Sequence, residues 1–330
     1  ALRRTGAARQ KPEVLKNVTS TGTVSVQSGT LKYNGNLSSP SGTIADADYT
    51  NLQSTMSFAD RVATIESLSL GAFGGLLKAK GRYDIRESTP RFSADATVRS
   101  MDLTQISRSL QPSKPQNIRG LLDMDIDVTG VGKEWEAIQK SLKGTGKAQV
   151  VNGALLDVNL ADGVFSGAGI PGVINLIPSD MKKKYPDVFS SKDTEFKQMR
   201  GSATISDGRA YTDDLVVSAA EFESQGKGWY AFDRTVDFRG LFQASQPFSA
   251  DIIRRAKEAK GLANDQGQIE IPFTLTGKIP GAKPRPDMAY IARGLEKGFA
   301  EQGLEGLFRR RSPKRDSESS PPREGTPAHP

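Results

Sequence analysis

The feature that most constrains this chain is a strict two-residue alternation of apolar and charged side chains, repeated along most of its length. In Leu77-Lys78-Ala79-Lys80-Gly81-Arg82-Tyr83-Asp84-Ile85 every odd position is apolar or glycine and every even one is charged. Leu122-Asp123-Met124-Asp125-Ile126-Asp127-Val128 repeats the pattern with aspartates. Side chains alternate across a strand, so each segment has one apolar face and one wet face. Many such strands in sequence make a long one-sided sheet. The reading therefore turns on what covers its apolar face.

Composition narrows the alternatives. Hydrophobic residues make up only 36% of 330 positions and there are 33 glycines, which suits an all-β chain with frequent turns. The formal charge of +7 is terminal: residues 1–16 carry +4, residues 309–330 carry +3, and the body between is neutral. A nucleic-acid binder clusters its excess charge on a folded face with aromatics between, so nucleic acid is not an expected partner. The absence of cysteine excludes disulfides, thiol catalysis and Cys-ligated metal. No run approaches the ~20 apolar residues that span a bilayer. Ala1 opens a basic, polar segment without a signal-peptide pattern, and it reads as a piece cut from a longer protein.

Residues 1–16 read as a basic linker or the end of a truncated upstream region, and 17–286 as the sheet domain. Thr23–Tyr33 is an expected hairpin turning at Ser28-Gly29. Asn152-Gly153 and Asp207-Gly208 are expected hairpin turns, because a type I′ turn needs positive φ at both central residues. Further strands are expected over 63–70, 92–98, 214–217, 222–232, 235–242 and 268–277. In the last of these Pro272 lacks a donor, which suggests an edge strand or an outward-pointing residue. Trp135, Ile138 and Leu142 recur at helical spacing, and about 155–190 reads as a helical insert. Ser249 is an expected cap for a helix over about 250–262. Asp287 is the expected cap of an amphipathic helix over 287–308, whose Gly294, Gly298, Gly303 and Gly306 each cost about 1 kcal/mol relative to alanine, so it needs a partner surface. Residues 309–330 read as a disordered basic tail.

An ordered set of motifs then carries a resemblance. Leu70-Gly71-Ala72-Phe73-Gly74-Gly75 precedes the alternating strand to Ile85, and Ser141-Leu142-Lys143-Gly144-Thr145-Gly146 leads to Asn152-Gly153 with Leu155, Leu156 and Asp157. Thr194-Glu195-Phe196 leads to Gly201 and Ile205-Ser206-Asp207-Gly208, followed by Gly226-Lys227-Gly228. Ile271-Pro272-Phe273-Thr274-Leu275-Thr276-Gly277 ends the series, with Pro284, Pro286 and Asp287 behind it. Over about residues 20–290 the chain resembles the C-terminal region of the AsmA family of Gram-negative envelope proteins, related to TamB-like bridge-type periplasmic lipid transport proteins. The resemblance implies a mainly β fold: a long, curved, mostly antiparallel sheet forming a hydrophobic groove, with a few peripheral helices. It implies a periplasmic location, tethered to the inner membrane by an N-terminal helix absent from this chain. It also implies phospholipid movement between inner and outer membranes, and outer-membrane assembly proteins as further partners.

Two readings of the apolar face stay open: a closed sandwich core, as in most one-sided sheets, or an open groove for phospholipid acyl chains. Small residues on the apolar side (Ala79, Gly81, Ala94, Ala96, Gly146, Ala148) leave width that acyl chains could fill. Burial of each methylene contributes about 0.8 kcal/mol. The groove candidates are Leu77, Ala79, Tyr83, Ile85, Phe92, Val98, Leu122, Met124, Ile126, Val128, Ile269, Ile271 and Phe273. Val164, Phe165, Ile174, Ile177, Lys182, Lys183 and Lys184 form an apolar, lysine-ended segment that reads as a membrane contact or as a short helix capping the sheet. Neither cofactor, metal site nor catalytic residue is expected. The only histidine, His329, lies in the tail, and no GxSxG, P-loop or HExxH occurs. Asp123, Asp125 and Asp127 alternate on one strand face and read as solvated. The competing non-enzymatic reading is a structural or chaperone-like factor with a closed β core, which holds outer-membrane strands by strand addition.

Overall fold

The computed structural model describes residues 12–27, 29–44, 46–110, 115–166 and 179–311. Among the described residues fifteen strands form one antiparallel sheet, nearly all of it a meander in chain order. The first half comprises β1 (Val14–Lys16), β2 (Thr19–Gln27), β3 (Thr30–Ile44), β4 (Ala47–Ala59), β5 (Val62–Ala72), β6 (Gly75–Asp84), β7 (Arg91–Asp102) and β8 (Ile118–Val131). The second comprises β9 (Lys143–Leu155), β10 (Thr194–Ser206), β11 (Arg209–Ser218), β12 (Phe222–Ala231), β13 (Thr235–Ala244), β14 (Glu270–Lys278) and β15 (Lys283–Pro286). Both β1 and β2 pair with β3, at opposite ends of that long strand. The basic linker expected over 1–16 therefore already contains sheet at Val14–Lys16, while 1–11 lies outside the described residues.

Tight turns join several of the neighbouring strands. Asp207 and Gly208 close β10 onto β11 with φ of 50° and 72°, the left-handed pair that a type I′ turn requires. Asn152-Gly153 behaves differently. It lies inside β9, where Asn152 has φ 51° and the pairing with β8 shifts register opposite Arg119–Leu121. The expected turn is thus a bulge, because both neighbouring strands continue past it and hold the backbone extended on either side. Pro272 is not on an edge either: β14 pairs with both β13 and β15. Its carbonyl accepts from the Asp287 amide at 2.8 Å, so its missing donor faces the side where β15 has already ended.

A sheet this wide curls rather than staying flat. The Arg234 guanidinium, in the β12–β13 turn, donates to the Pro115 carbonyl at 3.0 Å, reaching across to the segment before β8. Helices cover parts of the apolar face. α1 (Leu103–Leu110) follows β7, and α2 (Trp135–Ser141) follows β8. The insert holds α3 (Leu160–Ser166), α4 (Ser179–Lys184) and α5 (Pro186–Phe189). α6 (Gln246–Arg255) and a 3-10 helix (Lys257–Leu262) fill the β13–β14 connection, and α7 (Met288–Arg311) follows β15. The cap of α6 is Ser245, which accepts from the Phe248 amide at 3.4 Å, rather than Ser249. Pro247 in the first turn starts the helix earlier than expected, and the Ser249 hydroxyl is left inside the core, where it accepts from the Ile269 amide at 2.9 Å. Asp287 does cap α7, accepting from the Tyr290 amide at 3.0 Å. Residues 309–311 continue that helix, and the rest of the expected tail lies outside the described residues.

The largest core sits at the C-terminal end. Phe242, Phe248, Ile252, Leu262, Ile269, Ile271 and Ile291 are all but fully buried between β12–β15 and the helices above them. A smaller cluster under α1 joins Tyr49, Leu52, Leu70, Ala72, Val98 and Met101, with Ile106 packed against it.

A candidate apolar binding site

The floor of the site is a grid of cross-strand rows on the apolar face. One row runs Leu70, Leu77, Val98, Met124 and Ala148 across β5–β9. The next runs Leu68, Ala79, Ala96, Ile126 and Gly146. The third runs Ile65, Gly81, Ala94, Val128 and Gly144, and the fourth Ala63, Tyr83, Phe92 and Gly130. The middle rows are rich in glycine and alanine, and the rows on either side carry leucine, methionine, tyrosine and phenylalanine. Residues opposite one another share a face, so the small middle rows form a depression between bulkier banks. The Phe92 ring lies directly over Gly130, where an added Cβ would stand 2.4 Å from it.

A cavity of about 530 Å³ occupies this depression, with an almost wholly apolar wall. Its floor includes Met56, Ile65, Ala79, Gly81, Tyr83, Phe92 and Ala94, and its roof is Trp135, Ile138 and Leu142 of the α2 region together with Phe232. The roof is fixed at one point: the Ser141 hydroxyl accepts from the Val131 amide at 2.9 Å and donates to the Val131 carbonyl at 2.6 Å. Trp135 is 49% exposed while Ile138 is buried at 6%, so the helix presents one residue inward and one at the mouth.

The opposite face of the same strands is charged. Lys80 pairs with Asp95 at 3.3 Å, and Arg99 with Asp125 at 2.8 Å. The Arg99 hydrogen bond, helped by Thr97, holds the Asp125 carboxyl below its ordinary value. Asp123 accepts from the Ser100 amide at 2.7 Å. A larger hollow of about 810 Å³ also lies on this side, lined by Asp125, Asp127, Lys147, Tyr211, Trp229 and Arg239 among others, and it has no apolar character comparable to the roofed cavity.

The thirteen expected groove residues do not form one continuous site. Ala79, Tyr83 and Phe92 line the cavity, and Val128 and Ile126 sit in the rows beside it. Leu77, Leu122 and Met124 pack against the α1 cluster, with Val98 inside it. Ile269, Ile271 and Phe273 are core residues, 1%, 2% and 7% exposed, because α3, α6 and α7 close over that end of the sheet. Ile85 lies just past β6 and ties to the Arg61 carbonyl at 3.0 Å. The membrane-contact expectation changes too. Val164 and Phe165 are buried, Phe165 against Phe242 and Phe248 at centroid separations of 5.4 and 5.9 Å. Lys184 forms an ion pair with Asp251, a carboxylate with only 4% of its side chain exposed, which also accepts from the Tyr185 hydroxyl at 2.7 Å. Lys182 and Lys183 are exposed, and Ile174 and Ile177 lie outside the described residues. Sequence reasoning missed Met56, Ile65, Phe232 and the α2 roof. Met56 was recoverable from its alternation with Phe58, and the roof residues from their helical spacing; nothing local places Phe232 opposite β6.

The model of the AsmA family matches residues 36–215, a span that runs from β3 to β11 and holds most of the cavity floor and α2. No curated protein and no solved structure matches the chain.

Proposed function

The chain belongs to the AsmA family, and from that premise we propose that it is a non-enzymatic envelope protein whose apolar sheet face binds phospholipid acyl chains. In this reading it helps to move phospholipid between inner and outer membranes and so supports outer-membrane assembly. The observation that carries the proposal is the roofed apolar cavity of about 530 Å³ over the small-residue rows. A cavity of that size falls in the range of small-molecule sites, and its wall offers almost no hydrogen-bonding partner to a polar ligand. A flexible hydrocarbon chain fits both conditions, gaining about 0.8 kcal/mol per methylene removed from water. Transfer by this route is sliding along an apolar surface, with headgroups left in solvent and no residue performing chemistry. The test is mass spectrometry of organic extracts from protein purified without detergent. Phospholipid at or near one molecule per chain is expected. A cooperative, folded protein that carries none, and takes none up from vesicles, would overturn the reading in favour of a closed structural core.

A further inference from the structure

The apolar face is not one open surface. Under α1 the protein fills it with its own side chains: Leu68, Leu77, Leu122 and Met124 pack against buried Leu70 and Val98. Toward the C-terminal end Tyr230 and Phe238 pack against the core that α3, α6 and α7 close. The roofed cavity is a separate section that side chains leave unfilled, so its volume sets a limit on what it holds. An apolar cavity of about 150 Å³ takes one benzene, so about 530 Å³ takes about twenty carbons at most. That is one long acyl chain. It falls well short of the two that a membrane phospholipid carries.

The wall gives a headgroup little to recognise. Lys80 and Arg82 border the cavity, but by alternation their side chains belong to the opposite face. There they pair with Asp95 at 3.3 Å and Asp84 at 3.7 Å. Ser93, the cross-strand partner of Arg82, shares that face. The polar side chains left on the cavity side among the described residues are Tyr83, Trp135 and Gln139, all of them neutral. We propose that the cavity seats one acyl chain and only one, so that the ligand it satisfies completely is a single-chain lipid of the lysophospholipid class. This rests on the reading of the cavity as an acyl-chain site and narrows its ligand. A diacyl phospholipid would seat one chain and leave the other in water. Selection is by chain number and length, and headgroup charge has no part in it.

The test uses the whole chain and two soluble lipids below their micelle concentrations. Myristoyl lysophosphatidylcholine and diheptanoyl phosphatidylcholine carry the same acyl carbons, on one chain or on two. Trp229→Phe leaves Trp135 as the only tryptophan. Trp229 lies on the opposite face, stacked with Arg209 at 4.2 Å, so its loss leaves the cavity intact while Trp135 fluorescence reports binding at the mouth. Each methylene removed from water is worth about fourfold in affinity. The lysolipid should therefore bind at least about a hundredfold more tightly, one molecule per protein. That advantage should fall at least about tenfold in Ala94→Phe, whose ring takes up volume inside the cavity. A smaller difference between the two lipids overturns the single-chain inference and leaves the acyl-chain reading standing, since both chains would then be inside. An advantage untouched by the ring overturns the assignment to this cavity. Binding of neither lipid by a folded protein overturns both readings.

Discussion

Ala94→Phe tests the cavity directly. Ala94 lies on the cavity floor in β7, with Gly81 opposite it on β6 and Val128 on β8. A ring at position 94 can lie over Gly81, which has no side chain to displace, so it enters existing volume instead of forcing a packed core apart. Its added carbons take the place of about four methylenes of a bound acyl chain, worth about 3 kcal/mol at roughly 0.8 kcal/mol each. That is roughly a hundredfold in affinity. The assay is titration with a fluorescent fatty acid, alongside thermal unfolding without ligand. The expected result is strongly weakened binding by a protein that melts at or above the parent temperature, since the ring buries apolar area in the ligand-free state. Unchanged affinity would refute the location of the acyl chain. A large loss of stability would refute the claim that this volume is free of protein side chains.

Four further outcomes follow from the structure. Asp251→Ala should destabilise the protein by about 2 kcal/mol in urea unfolding, because it strips Lys184, Tyr185 and Arg254 of a buried, charged partner. The Lys184 hydrogen bond first, then Tyr185, lower the Asp251 pKa from 3.8 to about 2, so its contribution is complete above the unfolded value and is lost as pH falls through about 2; the gap between parent and variant stability should be flat above about pH 5 and shrink toward pH 2. Gly261→Ala should cost at least about 3 kcal/mol, since its Cβ would stand 1.8 Å from the Gly294 carbonyl oxygen, and a neutral result would show that α7 does not pack on the 3-10 helix as described. Asp125→Asn should leave the urea unfolding midpoint unchanged within error, its Arg99 pair being roughly half exposed on both sides and screened by solvent. Hydrogen exchange of dilute protein should be slowest in β13 and β14 and fastest in β2, tracking the buried Phe242 and Ile271 against the exposed Val24 and Val26; uniform protection along the sheet would contradict it.

What the sequence made legible was decided by the range of the signal. The alternation in β6 and β8 is local and dictates strand and face at once, so the register rows through Ala79, Ala94 and Ile126 follow almost directly from it. Asp207-Gly208 is equally local, because the backbone requirement of the turn sits in the two residues themselves. Asn152-Gly153 has the same chemistry and a different outcome: there the strands on both sides extend past the pair, so pairing overrides turn preference and a bulge results. The cover over each part of the face is not local at all. Ile271 and Phe273 alternate as cleanly as Met124 and Ile126, yet the first pair is sealed by helices from residues 160–166, 246–255 and 288–311. Period two states that a face is apolar and contains no information about which distant segment lies on it. Phe232 reaches the roof only because the sheet curls, a property of fifteen strands together.

The small-residue rows admit a second physical role, and the two roles can be separated. A sheet that curls toward its apolar face brings the side chains of that face together, so glycine and alanine at positions 79, 81, 94, 96, 144 and 146 relieve crowding on the inside of the bend. If relief of crowding were their whole role, neighbouring side chains would close over them and packing would reach interior density. That is what happens at the C-terminal end, where Gly240 is covered by the Phe273 ring, 2.6 Å from where its Cβ would be. Over Gly81 and Ala94 the result is different. The residues above them stand off at the height of α2, and about 530 Å³ lies between. The same substitution pattern thus gives a filled core where aromatic side chains descend into it, and a lined cavity where a helix bridges the banks instead. It is α2, clipped to β8 through Ser141, that keeps the banks apart from their roof, and so the short helix after β8, more than the sheet, sets the volume on which the proposed acyl-chain binding depends.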